Sequence, residues 1–478
     1  MHLHSLLWLS ALVIAAALLY RRILGTTWVA RLATLLYAVD EAHAAPAAYI
    51  ANRNALIATC FGVLCLLCFA RARQQGWRPG LALSAIFLAL GLAAGEMALA
   101  TAAYLAAYTV FLDPAPLRRR LIALIPNGLV LAAWAAIYKL GQFGAQGSGF
   151  YLDPAREPVA FARALADRAL YLLVGQWTPI AADLGSVLPS GSVAALRFRL
   201  VAVVILALLA FLLLPLLRRD RVARFWCAGA LVSILPIAAT GPQNRLLFFV
   251  GLGSMALLAQ IAQSLVLGAD PQRSPLGRLA AFSFAGLLLF FHLVLAPLIT
   301  PWNARGEARI GQRMMTAIES VPDDPAIAAQ DLVIVNPPEH IYLVTSIPVI
   351  KPVQGRPFPR HLRALANGKS AMRAIRIDAK TLDLELASGL FPDPFSHYFR
   401  GAREPLAPGQ RVELTGFSAE VLEVDAGGQP IAVRYRFDRP LEDPSLRWVS
   451  WRASVYAPWT PPAIGASELL PATGDPLF

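Results

Sequence analysis

Residues 200–224 read LVAVVILALLAFLLLPLLRRDRVAR, eighteen uncharged positions followed by arginines at 218, 219, 221 and 224. A bilayer's hydrocarbon core is roughly 30 Å thick and takes about 20 apolar residues of helix to cross. Arginines and lysines that follow such a run mark its cytoplasmic end. The same pairing of apolar run and arginine cluster recurs through the first 300 residues, and it decides the fold class.

Further runs lie at 4–20, 26–39, 54–70, 81–112, 121–140, 225–240, 246–267 and 279–300. Between them stand Arg21/Arg22, Arg71/Arg73/Arg78, Arg118–Arg120 and Arg273/Arg278. Composition agrees with a membrane protein. Of 478 residues 57% are hydrophobic and only 15% charged, with a mean hydropathy of +0.55. A soluble domain carries about 25% charged residues, and a disordered chain needs low hydrophobicity. The four cysteines (Cys60, Cys65, Cys68, Cys227) sit inside apolar runs and read as small hydrophobes, with neither disulfide nor metal spacing.

The net charge of +12 is local. Residues 1–300 hold 23 basic and 10 acidic side chains, and residues 301–478 hold 19 and 20. A nucleic-acid binder gathers its charge on one soluble face. Here 14 of the 23 fall in the five clusters between apolar runs, which makes the charge a topological signal and excludes a nucleic-acid partner. Arginine outnumbers lysine 38 to 4. With abundant Ala, Leu and Pro, that bias indicates a GC-rich bacterial genome, and hence the inner membrane.

Placing all five clusters inside makes 81–112 cross twice, as a tight helical hairpin broken at Gly95-Glu96, and gives ten spans. Each hairpin arm is then about 15 residues, or about 22 Å, so its turn is expected in a recess of the outer surface. The N-terminus falls outside, directly before a span, with no basic segment or cleavage site of a signal peptide. The expectation is an eleven-span protein that has lost its first span. Residues 141–195 form an outer insertion, in which Phe161, Leu165, Ala169 and Leu172 recur at the spacing of an interfacial helix.

After residue 300 the pattern turns to β: 332–335, 341–350, 372–386, 411–424 and 431–437, the last two joined by a hairpin loop at Asp425–Gln429 (DAGGQ). The reading is a mainly α chain: a polytopic helical domain at 1–300 and a small β-rich outer domain at 301–478.

Ionisable groups beside membrane spans are costly and are functional candidates for that reason. Asp40, Glu41, His43, Arg53 and Glu96 all fall on the outer side. A carboxylate there can act as a base on a hydroxyl or hold a divalent cation, and an arginine can grip a phosphate. Asp40, Glu41 and Arg53 fit equally well as interfacial residues paired with one another. Arg245, in the polar turn Gly241-Pro242-Gln243-Asn244-Arg245, suits a lipid phosphate or plain anchoring; Tyr151 and Asp153 suit a sugar ring or a plain loop. His292, alone in a run, reads as a satisfied core histidine. Asn336-Pro337-Pro338 and Asn367-Gly368-Lys369-Ser370 lack the glycines of a nucleotide loop.

Residues 38–57, AVDEAHAAPAAYIANRNALI, resemble a segment of the GT-C polytopic glycosyltransferases of the protein O-mannosyltransferase-like kind. The match falls on His43, Tyr49, Ile50 and Arg53. Residues 92–98, LAAGEMA, are similar to that family's later Ser-Lys-Glu stretch, with Glu96 on the glutamate. Asp40-Glu41 replaces the family's His-Pro, Gly95 its lysine, and the first span and outer loop that carry its acidic catalytic residue are missing. The resemblance covers roughly residues 1–140. It implies transfer of a sugar from a polyprenyl-phosphate donor to a glycan or protein acceptor at the outer face. Asp40, Glu41 and Glu96 would be the catalytic candidates, with His43, Arg53, Tyr151, Asp153 and Arg245 as substrate contacts. A transporter or channel, and a non-catalytic scaffold displaying the outer domain, are the alternatives. No inverted repeat or midplane-broken helix pair favours transport.

Overall fold

A computed structural model describes residues 2–144, 151–188, 191–267, 274–338, 344–392, 396, 400 and 404–474. It is mainly helical and divides into two compact units, one over residues 1–146 and 151–307 and the other from residue 308 onward.

The first unit opens with α1 (His2–Leu24), α2 (Trp28–Ala38), the one-turn α3 (Ala44–Ala48), α4 (Arg53–Gln75), α5 (Gly80–Ala94), α6 (Thr101–Phe111) and α7 (Leu117–Leu140). It continues with α8 (Pro158–Trp177), the short α9 (Leu184–Val187), α10 (Val193–Arg219), α11 (Arg221–Val232), the short α12 (Ile234–Ile237), α13 (Phe248–Val266) and α14 (Pro275–Phe290). The unit boundary falls within α15 (Ala296–Glu319). Among the described residues six helices are long and apolar enough to cross a membrane: His2–Leu24, Ile50–Gln75, Leu117–Leu140, Val193–Arg219, Phe248–Val266 and the run Pro275–Glu319. The remaining runs are shorter here. Helices α2, α5 and α6 have 11, 15 and 11 residues, and the run at 225–240 breaks at Ser233 into α11 and α12.

Helix α13 is the axis of this unit. It is buried without interruption from Phe248 to Ala262, as a helix that is apolar all round must be. The hydroxyls of Tyr37, Tyr104 and Tyr20 donate to the carbonyls of Phe248, Phe249 and Leu252, so three aromatic side chains are pinned to its first turns. Gly253 allows the approach of α11, because a Cβ there would lie 2.5 Å from the Trp226 carbonyl.

Helices α1 and α4 run parallel. Arg53 Nε donates to Ser5 Oγ at 3.0 Å near their first turns, and Arg22 reaches Gln75 Oε1 at 3.2 Å near their last. Arg73 pairs with Asp113 at 2.6 Å, which brings the end of α6 to the same place. Three of the arginine-bearing segments therefore gather at one end. Arg273 lies outside the described residues.

The run 81–112 does break at Gly95-Glu96, but not into a tight hairpin. Helix α5 packs on α4 and α7, whereas α6 packs on α11 and α4. The physical reason is the glycine surface of α5. A Cβ at Gly80 or Gly91 would meet backbone carbonyls of α4 at 2.8 and 3.2 Å, so α5 seats against α4 rather than against its own return arm.

The described residues of the second unit form two sheets. The six-stranded sheet is antiparallel, ordered β10-β3-β4-β7-β6-β5, and the other is ordered β2-β1-β8-β9 with β1 parallel to both β2 and β8. Their strands are β1 (Asp331–Ile334), β2 (His361–Ala364), β3 (Met372–Arg376), β4 (Thr381–Leu386), β5 (Arg411–Leu414), β6 (Phe417–Val424), β7 (Pro430–Phe437), β8 (Leu446–Arg452), β9 (Val455–Pro458) and β10 (Ser467–Leu470). The DAGGQ loop joins β6 to β7. Asp425 Oδ1 accepts from the amides of Gly427 and Gln429, and Gly428 takes φ +78°.

The β reading of 341–350 is corrected. Residues 341–343 lie outside the described set, and Thr345–Val353 is a helix, α16. Val344, Ile347 and Ile350 recur every third residue, and all three join the core formed with Leu332, Ile334 and Val449. Their β-branched chemistry suggested a strand; their spacing serves a helix that carries β1 over to parallel β2.

Candidate functional site

Helix α2 starts on a Thr27 cap and rises only about 16 Å, half of what a span needs. The chain then turns aside into a connection of short pieces, residues 39–52, before α4 begins. Asp40, Glu41 and His43 sit on its first turn, where Asp40 Oδ1 caps the Ala42 amide at 3.1 Å.

Asp40 is 5% exposed. Its second oxygen accepts from Gln176 Nε2 of α8 at 2.9 Å. Both contacts come from neutral N–H groups, so no cation offsets the burial. Desolvation pushes the carboxyl pKa up to about 6, against the smaller opposing effects of the Gln176 and Ala42 hydrogen bonds. Gly251 of α13 faces the pair, and a Cβ there would fall 2.9 Å from Asp40 Oδ2.

Glu41 is half-buried and is held by two amides, Asn303 Nδ2 at 2.7 Å and Asn244 Nδ2 at 3.4 Å. Burial raises its pKa, helped by the charges of Asp40 and Asp183. Asn244 is the organising side chain of this corner. Its Oδ1 accepts from the Ala182 amide at 2.8 Å, and its own backbone amide donates to Asp183 Oδ2 at 2.9 Å. His43 stacks on Phe248 with centroids 4.9 Å apart and meets Tyr37 edge-on at 4.7 Å. Burial lowers its pKa to about 3, which keeps the ring neutral, and neither ring nitrogen has a hydrogen-bond partner among the described residues.

The remaining candidates separate from this corner. Arg53 serves the α1–α4 contact through Ser5. Glu96 is exposed and accepts a hydrogen bond from Tyr138 of α7. Tyr151 feels the charges of both Glu96 and Arg245, which places these three in one neighbourhood. Arg245 Nε donates to Gln243 Oε1 at 2.6 Å. Asp153 caps its own turn through the Ala155 amide at 2.8 Å. His292 is buried in a π-helical turn, with Nε2 unpartnered among the described residues.

Gln176, Asn244, Asn303 and Gly251 were not singled out from the sequence. Asn244 was visible as part of a polar turn, and Gln176 is a single amide in an apolar stretch, an isolation that was its signal; Asn303, followed by Arg305, Glu307 and Arg309, carried none. Among the described residues no three His, Cys, Asp or Glu side chains are grouped to hold a metal ion, so the divalent-cation reading is carried no further. In the second unit, Asn336 spends its amide on both backbone groups of Trp451, and Asn367 Oδ1 accepts from the Lys369 amide. Asn336 thus bridges to strand β8, and Asn367 holds a local turn.

No protein-family model, no curated protein and no solved structure matches the chain.

Proposed function

We propose that the chain transfers a sugar from a polyprenyl-phosphate carrier to an acceptor hydroxyl at the outer face of a bacterial inner membrane. It would do so from a multi-span helical unit, with the C-terminal unit on the outer side. The observation that carries this reading is Asp40: a buried carboxylate in a non-spanning connection, hydrogen-bonded by amides alone, with a pKa pushed up to about 6. A group poised near neutral pH suits proton transfer.

In the proposed step Asp40 takes the proton of the acceptor hydroxyl. The acceptor oxygen forms its bond to the sugar C1, the C1–phosphate oxygen bond breaks, and polyprenyl phosphate leaves with the electron pair. Arg245 is assigned to the phosphate, and Tyr151 and Glu96 to the sugar hydroxyls. Glu41 and His43 flank Asp40 on the same turn, while Arg53 and Asp153 keep to the α1–α4 contact and the 153–155 turn. The gathering of Arg22 and Arg73 with Asp113 at one end supports a common inward side for those segments.

The same buried carboxylate also favours a second reading, proton-coupled transport. The two are separated by incubating purified protein in vesicles with radiolabelled glucosyl- and mannosyl-polyprenyl phosphates. Release of free polyprenyl phosphate that depends on protein supports transfer. Its absence, together with uptake of a labelled solute driven by a pH gradient, sinks the transferase.

A further inference from the structure

We propose that Gln176 is a positioning residue that keeps Asp40 hydrogen-bonded in both of its protonation states, using space left by Gly251. The inference rests on Asp40 as the proton acceptor.

Gln176 is 1% exposed, so its amide must find partners within the protein. Nε2 donates to Asp40 Oδ2 at 2.9 Å, while Oε1 has no partner among the described residues. The reverse arrangement would set two acceptor oxygens face to face. With Ala42 donating to Oδ1, ionised Asp40 has a donor on each oxygen, and the acceptor end of the glutamine stands idle. Protonated Asp40 needs the opposite, an acceptor for its O–H. A half-turn of the terminal amide, whose torsion is broad and roughly two-fold, presents Oε1 and meets that need. The idle carbonyl is therefore the partner of the other protonation state.

Gly251 makes the turn sterically open. A Cβ there would lie 2.9 Å from Asp40 Oδ2, 3.1 Å from Gln176 Oε1 and 3.4 Å from Nε2.

The other polar groups near Asp40 are engaged or lack a suitable contact. Tyr37 and Tyr20 donate to the Phe248 and Leu252 carbonyls. Glu41 is held by Asn244 and Asn303, and Asp183 by the Asn244 amide. His43 lies between Tyr37 and Phe248 without a hydrogen bond to Asp40. Gln176 is thus the side chain that answers the charge state of Asp40.

The test reads the proton directly and needs no substrate. Purified full-length protein is titrated while the infrared carbonyl band of protonated carboxyls is recorded, with Asp40→Asn as the blank that identifies the Asp40 band. Gln176→Met keeps the length of the side chain and removes both hydrogen-bonding ends. The expected result is an Asp40 midpoint raised by about one pH unit or more, because a donor to the ionised form is worth more than an acceptor to the neutral one. Gly251→Ala, which forces the pair apart, should raise it as well and stands in if Gln176→Met does not fold. Midpoints equal to wild type in the folded variants overturn the proposal. Sugar transfer left intact in Asp40→Asn would sink the enzyme reading instead, and the titration would still report on Gln176.

Discussion

Asn303 donates its side-chain amide to Glu41 Oε1 at 2.7 Å, joining residues 262 positions apart. Glu41 has Asn244 as its other amide donor. Replacing Asn303 by leucine takes one donor from a half-buried carboxyl, which costs about 1–3 kcal/mol. Asn303→Leu should lower the thermal midpoint of the purified protein by several degrees. In a Glu41→Gln background the same change should cost less, and a thermal-shift double-mutant cycle measures the difference.

Asp40 predicts a stability that depends on pH with a definite sign. Its folded pKa of about 6 lies above the ordinary value of 3.8, so the folded state binds the proton more tightly than the unfolded one. Stability from this group is full below the unfolded pKa and is lost as pH rises through about 6. Asp40→Asn should therefore stabilise the folded protein at pH 8 by on the order of 1–3 kcal/mol, by about half as much at pH 5 and hardly at all at pH 3. A scan of both proteins across that range checks the sign.

Arg73 and Asp113 tie the end of α4 to the segment after α6, and the Asp113 side chain is only 1% exposed. Removing one partner leaves a buried charge alone, which costs about 3–5 kcal/mol. Arg73→Ala should lower the yield of folded protein in detergent sharply. The double variant Arg73→Met/Asp113→Leu should recover part of it.

In the second unit Asn336 satisfies both the amide and the carbonyl of Trp451, at 2.8 and 3.3 Å. Asn336→Ala should destabilise that unit by about 1–3 kcal/mol and speed hydrogen exchange in β8 and β1, leaving exchange in α13 unchanged.

What the sequence disclosed follows from how local each signal is. The apolar runs with their arginine clusters, the spacing of Phe161, Leu165, Ala169 and Leu172 within α8, the break at Gly95-Glu96 and the DAGGQ turn each depend on neighbours a few residues apart. The helix at Thr345–Val353 was hidden by its β-branched composition and by Pro348 and Pro352. Strands β2, β8, β9 and β10 were not read, since β1 finds its partners at residues 361–364 and 446–449. The candidate site was half visible. The costly carboxylates Asp40 and Glu41 stood out, but their partners Gln176, Asn244 and Asn303 are common polar residues 136 to 262 positions away. Glu96 and Arg53 resembled members of the same cluster and serve other contacts.

The central claim, that Asp40 takes the acceptor proton during sugar transfer, is tested most directly by one rate comparison. Wild-type protein and Asp40→Asn are reconstituted at equal folded amounts, and release of polyprenyl phosphate from the labelled donor is followed in the presence of membrane glycan acceptors. Loss of a general base costs about 10²–10⁴-fold, so the account predicts a fall of at least about 100-fold. A variant that turns over at the wild-type rate would contradict it.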